Sequence, residues 1–202
     1  MTQKSFEMVR VFCAVDLSAE ARKKAAEHIT SLRQQVPESH AKWERPEKLH
    51  LTIKFLGDIS TTDVTVLTRA AQTAAALIKP FDLALDGSGV FPLRNLARAR
   101  VLWLGVLDST GRLGQLQAAL ETACADQGFA REERPFSPHL TLARLRGEKS
   151  DQTLARAHQS TPFAKITFSV SELIVMKSEL LPTGSRYTPL ARCLLGPQSP
   201  KA

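Results

Sequence analysis

The alternation of apolar and polar positions along the chain predicts buried strands that alternate with amphipathic helices. Val11–Leu17 (VFCAVDL) is a short apolar run rich in β-formers, which is typical of a buried strand. Ser18 is a candidate N-cap for a helix whose apolar residues recur at helical spacing until Pro37 ends it. Leu49–Leu56 (LHLTIKFL) alternates as a strand does and is closed by a Gly-Asp pair at residues 57 and 58.

The rest of the chain carries the same signals, and their order is repeated. They predict a helix over Thr62–Ile78, a strand from Phe81, a strand over Val101–Leu107, a helix capped by Asp108, Ser109 and Thr110 and ending at Gly128, a strand over Leu140–Leu145, a helix over Ser150–His158 and a strand opened by Pro162 and Phe163. The series strand, helix, HLT-strand, helix, PF-strand therefore occurs twice.

This repeat predicts the architecture. Val101 follows Val11 by 90 residues and His139 follows His50 by 89, while the two Pro-Phe pairs are 82 residues apart. An internal duplication of this length predicts an α+β fold with two similar lobes. We expect each lobe to contain an antiparallel sheet with helices, and the lobes to be related by a pseudo-two-fold axis around a central cleft.

Composition bounds the class of protein. The chain has 202 residues, of which 43% are apolar and 23% charged, so it can bury a core and an intrinsically disordered chain is excluded. We expect residues 1–195 to form one bilobal domain whose second repeat begins near residue 100, and residues 196–202 to be a disordered tail. The longest clean apolar stretch, Val101–Leu107, is far shorter than the ~20 residues of a membrane-spanning helix.

Charge and cysteine usage indicate the partner and the compartment. The net charge of +7 favours an anionic partner such as nucleic acid or phosphate, although a generally basic, solvated surface explains it equally well. Three widely spaced cysteines (Cys13, Cys124 and Cys193) without a CxxC pair predict free, buried thiols in a reducing compartment and argue against a structural zinc site. The N-terminal segment, broken by Arg10 and Asp16, lacks the pattern of a signal peptide, so we expect a cytoplasmic protein.

Two short motifs carry candidate chemistry: HLTI, with His50 and Thr52, and HLTL, with His139 and Thr141. Side chains at positions i and i+2 share one face of a strand, and the predicted axis brings the two faces together across one cleft. Two imidazoles can then act as general acid and general base, while two hydroxyls donate hydrogen bonds to phosphoryl oxygens without a metal. Such a pair predicts a bell-shaped pH profile near neutrality.

The alternative for these motifs is ordinary strand sequence, because His-x-Thr also arises by chance. Matching apolar flanks and matching repeat positions favour a functional pair. The other histidines, His28, His40 and His158, show no such pattern, so we expect structural or solvated roles for them. For Trp103, in the middle of a predicted strand, we expect a position in the core.

With these motifs the chain resembles the two-histidine (2H) phosphoesterase superfamily, marked by two H-x-T-x motifs in a bilobal fold. More narrowly, it is similar to the bacterial RNA 2′,3′-cyclic phosphodiesterase (2′-5′ RNA ligase) family. The likeness extends over residues 9–195 and is carried by LHLTIKFLGD (Leu49–Asp58), RVLWLG (Arg100–Gly105), RPFSPHLTLAR (Arg134–Arg144) and SRYTPL (Ser185–Leu190). It implies a metal-independent hydrolase that opens the 2′,3′-cyclic phosphate of RNA to a 2′-phosphate, with weak, reversible 2′-5′ joining of tRNA halves.

The resemblance also implies roles for single residues. His50 is the proton donor to the leaving 3′-oxygen, and His139 is the proton acceptor that activates water. Thr52 and Thr141 bind the substrate phosphate. Arg144, five residues after His139, is placed to pair with the same phosphate.

Three aromatic residues are further candidates for contacts with a base or with the cleft. Phe55 can stack on a base, but a core position explains it as well. Trp43 precedes the first motif and lies at the edge of the cleft or packs between the lobes. Tyr187 lines the cleft or packs within a strand.

Two other functions remain open. The same site can act on a different cyclic nucleotide or RNA end, or the chain is a non-catalytic RNA-binding module, against which the intact histidines and threonines argue. For the cyclic phosphodiesterase we expect a monomer that binds RNA with 2′,3′-cyclic phosphate ends, including tRNA halves. We expect no cofactor, no metal ion and no membrane as a partner.

Overall fold

Strands and helices alternate through most of the chain in the computed structural model, which describes residues 7–93, 96–147, 149–182 and 184–197. The strands are β1 (Met8–Asp16), β2 (Lys42–Trp43), β3 (His50–Ser60), β4 (Phe81–Phe91), β5 (Val101–Leu107), β6 (His139–Arg144), β7 (Ile166–Val170), β8 (Glu172–Leu181) and β9 (Gly184–Leu194). The helices are α1 (Ala19–Gln35), α2 (Thr61–Ala76), α3 (Arg112–Ala125) and α4 (Lys149–Ser160).

The strands form two antiparallel sheets, one in each lobe. The first sheet has the order β3-β1-β8-β9, and the second has the order β2-β6-β5-β4-β7. The two sheets have equivalent strand orders: β3 corresponds to β6, β1 to β5, β8 to β4 and β9 to β7. The predicted α+β fold with two similar lobes is confirmed, and β2 is an addition at the edge of the second sheet.

The two lobes are not consecutive halves of the chain. β4 precedes the second repeat but belongs to the second sheet, while β8 and β9 follow that repeat but complete the first sheet. Helices α2 and α3 pack on the first sheet, and α1 and α4 pack on the second. Each lobe is therefore built from both repeats.

This exchange corrects one predicted equivalence. The two Pro-Phe strands do not correspond, because β4 and β7 are hydrogen-bonded neighbours in the second sheet, with Phe81 opposite Val170. The strand that matches β4 is β8. Phe163 does not open the strand that was predicted to begin with it, because β7 begins three residues later, at Ile166. Its ring packs edge-on against His28, with ring centroids 5.5 Å apart.

Side chains at the helix starts fix where each helix begins. The Ser18 hydroxyl accepts a hydrogen bond from Ala21 N at 3.2 Å and caps α1 as predicted. Ser60 caps α2 by accepting from Asp63 N at 3.1 Å. At α3 the cap position is Gly111, with φ +70°, and the predicted Asp108 contributes by accepting from Leu113 N at 2.8 Å.

Contrary to the prediction, Gly57 and Asp58 do not end β3, the strand that carries the first HLT motif. The φ of Gly57, +73°, lies in the left-handed region that favours glycine, and the pairing register of β1 with β3 shifts there. Val11 pairs with Gly57 and Phe12 pairs with Phe55, so Leu56 forms a bulge. Because a bulge absorbs the extra residue without ending the ladder, β3 continues to Ser60.

The core consists of aliphatic side chains between each sheet and its helices. The apolar residues that separate His from Thr in each motif, Leu51 and Leu140, are fully buried, which anchors both motif strands. All three cysteines are free and buried, as predicted. Within the described residues, no helix combines the length and the apolar character that a bilayer span requires.

His28 and His158 form a buried pair that joins α1 to α4. The His158 Nε2–H donates to Trp103 O at 3.0 Å, so its Nδ1 accepts from the His28 Nε2–H at 3.2 Å. Burial lowers the pKa of both imidazoles, that of His28 to about 4. The pair is neutral near pH 7, and the predicted structural role of both residues is confirmed.

The C-terminal segment is described only as far as Pro197. Gly196 N donates a hydrogen bond to Ala75 O at 3.1 Å, which ties the end of β9 to α2. The remainder of the predicted tail, residues 198–202, lies outside the described residues.

Candidate active site

The polar faces of the two HLT motifs line one cleft between the lobes. His50 and Thr52 lie at the start of β3, and His139 and Thr141 lie at the start of β6. All four border one cavity of about 340 Å³, together with Arg144 at the end of β6. The sequence-based expectation that the two motifs face one another across a shared space is confirmed.

Each histidine is held in the same way. The Nδ1–H of His50 donates to Lys48 O at 2.6 Å, and that of His139 donates to Ser137 O at 2.8 Å. A carbonyl oxygen only accepts, so this bond places the proton on Nδ1 in the neutral tautomer. In both rings Nε2 is left for the chemistry, and that of His50 lies 3.1 Å from Thr52 Oγ1.

His50 is braced from behind by a salt-bridged arginine on α1. Arg22 donates to Pro46 O at 2.7 Å and to Leu49 O at 2.9 Å, so it clamps both ends of the 3₁₀ turn that precedes the motif. The same guanidinium pairs with Asp16, which lies opposite His50 in the β1–β3 ladder. A charge-assisted network of this kind fixes the position of the imidazole before substrate arrives.

Burial lowers the pKa of His50, with smaller contributions in the same direction from Arg22 and Arg144. The hydrogen bond to Lys48 O and the charge of Asp16 act in the opposite direction. The predicted pH profile near neutrality assumes that both imidazoles have their ordinary pKa, and the burial of His50 departs from that assumption. In the free protein this ring favours its neutral form at a lower pH than an exposed histidine does.

Both histidines have aromatic neighbours that meet them edge-on. The Tyr187 ring lies 5.2 Å from the ring of His50 at an interplanar angle of 85°, and the Phe91 ring lies 4.9 Å from that of His139 at 81°. Phe12 packs against both His50 and Tyr187. These contacts limit rotation of the imidazoles and exclude water from one side of each ring.

The three aromatic candidates have different positions. Tyr187, on β9, lines the cleft, and burial raises the pKa of its hydroxyl. Phe55 also lines the cleft and is 61% exposed, so a core position is wrong for it. Trp43 does not border the cleft: it lies opposite Ala143 in the β2–β6 ladder and packs, partly buried, against the hydrophobic core beside the C-terminus of α1.

Trp103 departs from its predicted core position. It pairs with Thr141 across β5 and β6, so its side chain lies on the cleft-facing side of the sheet, half-buried beneath Phe91 and near His139. Gly89 makes room for it, since a Cβ there would lie 2.2 Å from the indole. The indole thus supports the aromatic wall behind His139.

Sequence reasoning missed the charged residues that complete the cleft: Arg10, Glu44 and Lys48. Arg10 pairs with Asp58 at 3.0 Å, and burial raises the pKa of Glu44. The alternation of Arg10 with Phe12 on β1 could have placed both on one face. No pattern indicates Lys48 and Glu44, because the turn and the short strand that position them depend on contacts with α1 and β6.

The pKa of His50 leads to a prediction for the pH profile. If His50 donates a proton and His139 accepts one, activity falls as rising pH deprotonates His50 and as falling pH protonates His139. Because the pKa of His50 is lowered, the kcat/KM profile is expected to be bell-shaped with one apparent pKa below about 6.5.

A bound phosphate, which the resemblance implies as the substrate group, is negatively charged and favours the imidazolium, so the kcat profile is expected to shift upward relative to the kcat/KM profile. Both profiles can be measured with a cyclic-phosphate substrate, and His50 can be titrated directly by NMR. Two apparent pKa values above 6.5, with a His50 titration midpoint in the same range, would contradict the effect of burial.

A family model described as the 2′-5′ RNA ligase superfamily matches residues 21–180, which include both HLT motifs. The RNA 2′,3′-cyclic phosphodiesterase of Methanothermobacter thermautotrophicus is 33% identical over 183 residues, covering 89% of this chain and 95% of the relative. The Escherichia coli protein of the same name is 32% identical and covers 94% and 98%.

Solved structures give the same result for the fold. A crystal structure of E. coli LigT complexed with 3′-AMP superimposes with a TM-score of 0.74 at 32% identity, covering 94% of this chain and 99% of that one. TT0787 of Thermus thermophilus superimposes with a TM-score of 0.76 at 26% identity, covering 94% and 100%. The similarity therefore extends over both lobes and the cleft between them.

Proposed function

Because the chain belongs to the 2′-5′ RNA ligase superfamily, we propose that it is an RNA 2′,3′-cyclic phosphodiesterase, the activity for which its relatives are named. One structural observation supports this proposal independently of the names of the relatives. Two imidazoles, each with Nδ1 bonded to a backbone carbonyl, border one cavity lined by two threonines and by cationic side chains. That arrangement supplies an acid, a base and hydrogen-bond donors around one phosphate.

In the proposed reaction, His139 accepts a proton from water as its oxygen attacks phosphorus. The bond from phosphorus to the 3′-oxygen breaks, and His50 donates its proton to that oxygen. The product carries a 2′-phosphate and a free 3′-hydroxyl. Thr52, Thr141 and Arg144 bind the non-bridging oxygens, where negative charge is concentrated in the transition state. The division of roles between the histidines rests on the family resemblance, since the two sites are near-symmetric.

The physiological substrates we propose are RNA ends with a 2′,3′-cyclic phosphate, including tRNA halves, acted on in the cytoplasm by a monomer. Arg10, Lys48 and Arg144 along the cleft support an anionic ligand. The net charge of +7 acts in the same direction by attracting polyanions at long range.

The function is tested by incubating the protein with an oligonucleotide that ends in a 2′,3′-cyclic phosphate and separating the 2′-phosphate from the 3′-phosphate product. We expect the 2′-phosphate alone. A 3′-phosphate product would place the leaving group on the other ribose oxygen, and an unchanged substrate would favour the binding-module alternative.

Chelation is expected to leave activity unchanged. The two imidazoles provide both proton transfers, and Thr52, Thr141 and Arg144 provide the groups that bind the developing charge, so no step requires a metal ion. Hydrolysis rates measured with and without excess EDTA should agree. Loss of activity on chelation, restored by an added divalent metal, would contradict this mechanism.

A further inference from the structure

The cavity that holds the two histidines is lined by a carboxylate, that of Glu44. Among the described residues around this space of about 340 Å³, no other is acidic, whereas Arg10, Lys48 and Arg144 are cationic. A carboxylate repels a phosphate and can only accept hydrogen bonds. Glu44 therefore has no place in the phosphate chemistry proposed above, and its presence is explained by a different part of the ligand, one that donates hydrogen bonds.

The backbone of Glu44 is fixed, while its carboxylate is available to a ligand. Glu44 directly follows β2, and its amide donates to Leu142 O of β6 at 2.8 Å. Within the part of the chain that the structure describes, no cationic nitrogen lies within salt-bridge distance of its carboxylate oxygens. Burial raises the pKa of this carboxyl, while the charges of Arg144, Lys48 and Lys42 lower it and so favour the carboxylate.

The proposed reaction places the nucleoside on the same side of the cleft as Glu44. In-line displacement sets the attacking and leaving oxygens on opposite sides of phosphorus. Because the leaving 3′-oxygen belongs to the ribose, the ribose and its base lie on the His50 side. A second cavity, of about 500 Å³, borders His139 but not His50 and lies on the side of the attacking water. Glu44 lies near Tyr187, whose ring meets that of His50 edge-on, since burial and then the charge of Glu44 raise the pKa of the tyrosine hydroxyl.

The hydrogen-bond donors of the ligand decide which nucleoside suits this carboxylate. At a 2′,3′-cyclic phosphate end of RNA the terminal ribose has no free hydroxyl, so only N–H groups of the base can donate. Guanine alone among the four bases presents two adjacent donors, N1–H and the 2-amino group, beside an acceptor, O6. The ammonium of Lys48, which lines the same cavity, suits that acceptor. Uracil presents one N–H between two carbonyl oxygens, which face the charge of the carboxylate unfavourably.

We propose that Glu44 determines specificity by accepting hydrogen bonds from N1 and the 2-amino group of a terminal guanine. The preferred substrate is then RNA that ends in guanosine 2′,3′-cyclic phosphate. This inference rests on the phosphodiesterase function proposed above and names the base that the site selects. Glu44 contacts the base alone, and the proton transfers of His50 and His139 are unchanged.

The contact is tested with dinucleotides whose last nucleotide is guanosine, inosine or uridine 2′,3′-cyclic phosphate. Inosine differs from guanosine only in lacking the 2-amino group. Glu44→Gln keeps the shape of the side chain but replaces one accepting oxygen by a donating amide nitrogen. Glu47→Gln is the matched control, because it makes the same change of charge at an exposed residue that borders neither cavity. The readout is the ratio of kcat/KM values between substrates.

We expect the unmodified protein and Glu47→Gln to favour guanosine over inosine by about tenfold, because inosine leaves one carboxylate oxygen without its donor. In Glu44→Gln this ratio should fall to about one. Uridine should gain relative to guanosine in the same variant, since an amide matches the adjacent N–H and carbonyl of uracil. A ratio near one in the unmodified protein, an unchanged ratio in Glu44→Gln, or a fall of the ratio in Glu47→Gln as well would overturn the proposal.

Binding measured without turnover separates this proposal from the proposed function. Guanosine 2′-monophosphate and inosine 2′-monophosphate carry no cyclic phosphate, so their Kd values report binding alone. The unmodified protein should bind the guanosine compound about tenfold more tightly, and Glu44→Gln should bind the two equally. That result supports the guanine contact even if the chain hydrolyses no cyclic phosphate, in which case the phosphodiesterase function fails. Equal affinities in the unmodified protein contradict the contact whether or not hydrolysis is observed.

Discussion

Replacing either cleft histidine by alanine is expected to slow hydrolysis of a 2′,3′-cyclic phosphate by 10²–10⁴-fold, the usual contribution of a positioned acid or base. The two variants should differ on a substrate that needs no protonation of its leaving group, such as a nitrophenyl phosphodiester. His50→Ala should recover much of its rate there, because only the proton donor has been lost. His139→Ala should stay slow, because the attacking water still lacks its acceptor.

His40→Ala is the matched control for these variants, since His40 is exposed and borders neither cavity. Unchanged thermal unfolding in all three variants would show that the losses are not caused by misfolding. Recovery of His139→Ala on the activated substrate would reverse the two roles. Recovery of neither would mean that the histidines do not divide the acid and base chemistry in this way.

Removal of either threonine hydroxyl is expected to lower turnover on the order of 10²-fold, by analogy with the loss of one oxyanion donor. Thr52→Val and Thr141→Val keep the β-branched shape that suits a strand but remove the hydroxyl. Thr52→Ser and Thr141→Ser should retain most activity because they keep it. Thr52→Val should lower turnover further, because it also removes the hydrogen bond between Thr52 Oγ1 and His50 Nε2, which are 3.1 Å apart.

Thr30→Val provides the control, because Thr30 lies on an exposed face of α1 and its hydroxyl donates within the helix, to Ala26 O at 3.0 Å. Turnover near the unmodified rate in both valine variants would show that the threonines are ordinary strand residues. The function would then depend on the histidines and on the cations of the cleft.

The parts of the structure that the sequence predicts are those fixed by local pattern. Ser18 caps α1 because its hydroxyl reaches a backbone amide three residues on, and this rule needs no tertiary information. The facing of the two HLT motifs follows from the alternation of strand side chains together with the duplication. For that reason the central residues of the cleft, His50, Thr52, His139 and Thr141, could be named before the fold was known.

The parts that could not be predicted depend on contacts between distant segments. The sequence analysis gives no bounds for β8 or β9, although the apolar run Leu173–Met176 is typical of a buried strand and Tyr187 is considered as a strand residue. The pairing of β8 with β1, far away in the sequence, could not be predicted from local pattern. The exchange of β4 and β8 between the lobes leaves no local signal. Trp43 illustrates the same limit: its place before the first motif leaves the cleft edge and lobe packing both open, and the pairing of β2 with β6 decides for packing against the core.

The exchange of strands between lobes has a consequence for synthesis on the ribosome. The second sheet draws on residues 42–170, whereas the first sheet needs β1 at one end of the chain and β8 and β9 at the other, with Arg10 opposite Ser178. A contact separated by that much sequence forms late and slowly. The lobe that contains His50, although its first strands leave the ribosome first, is therefore expected to be completed last, after nearly the whole chain has emerged.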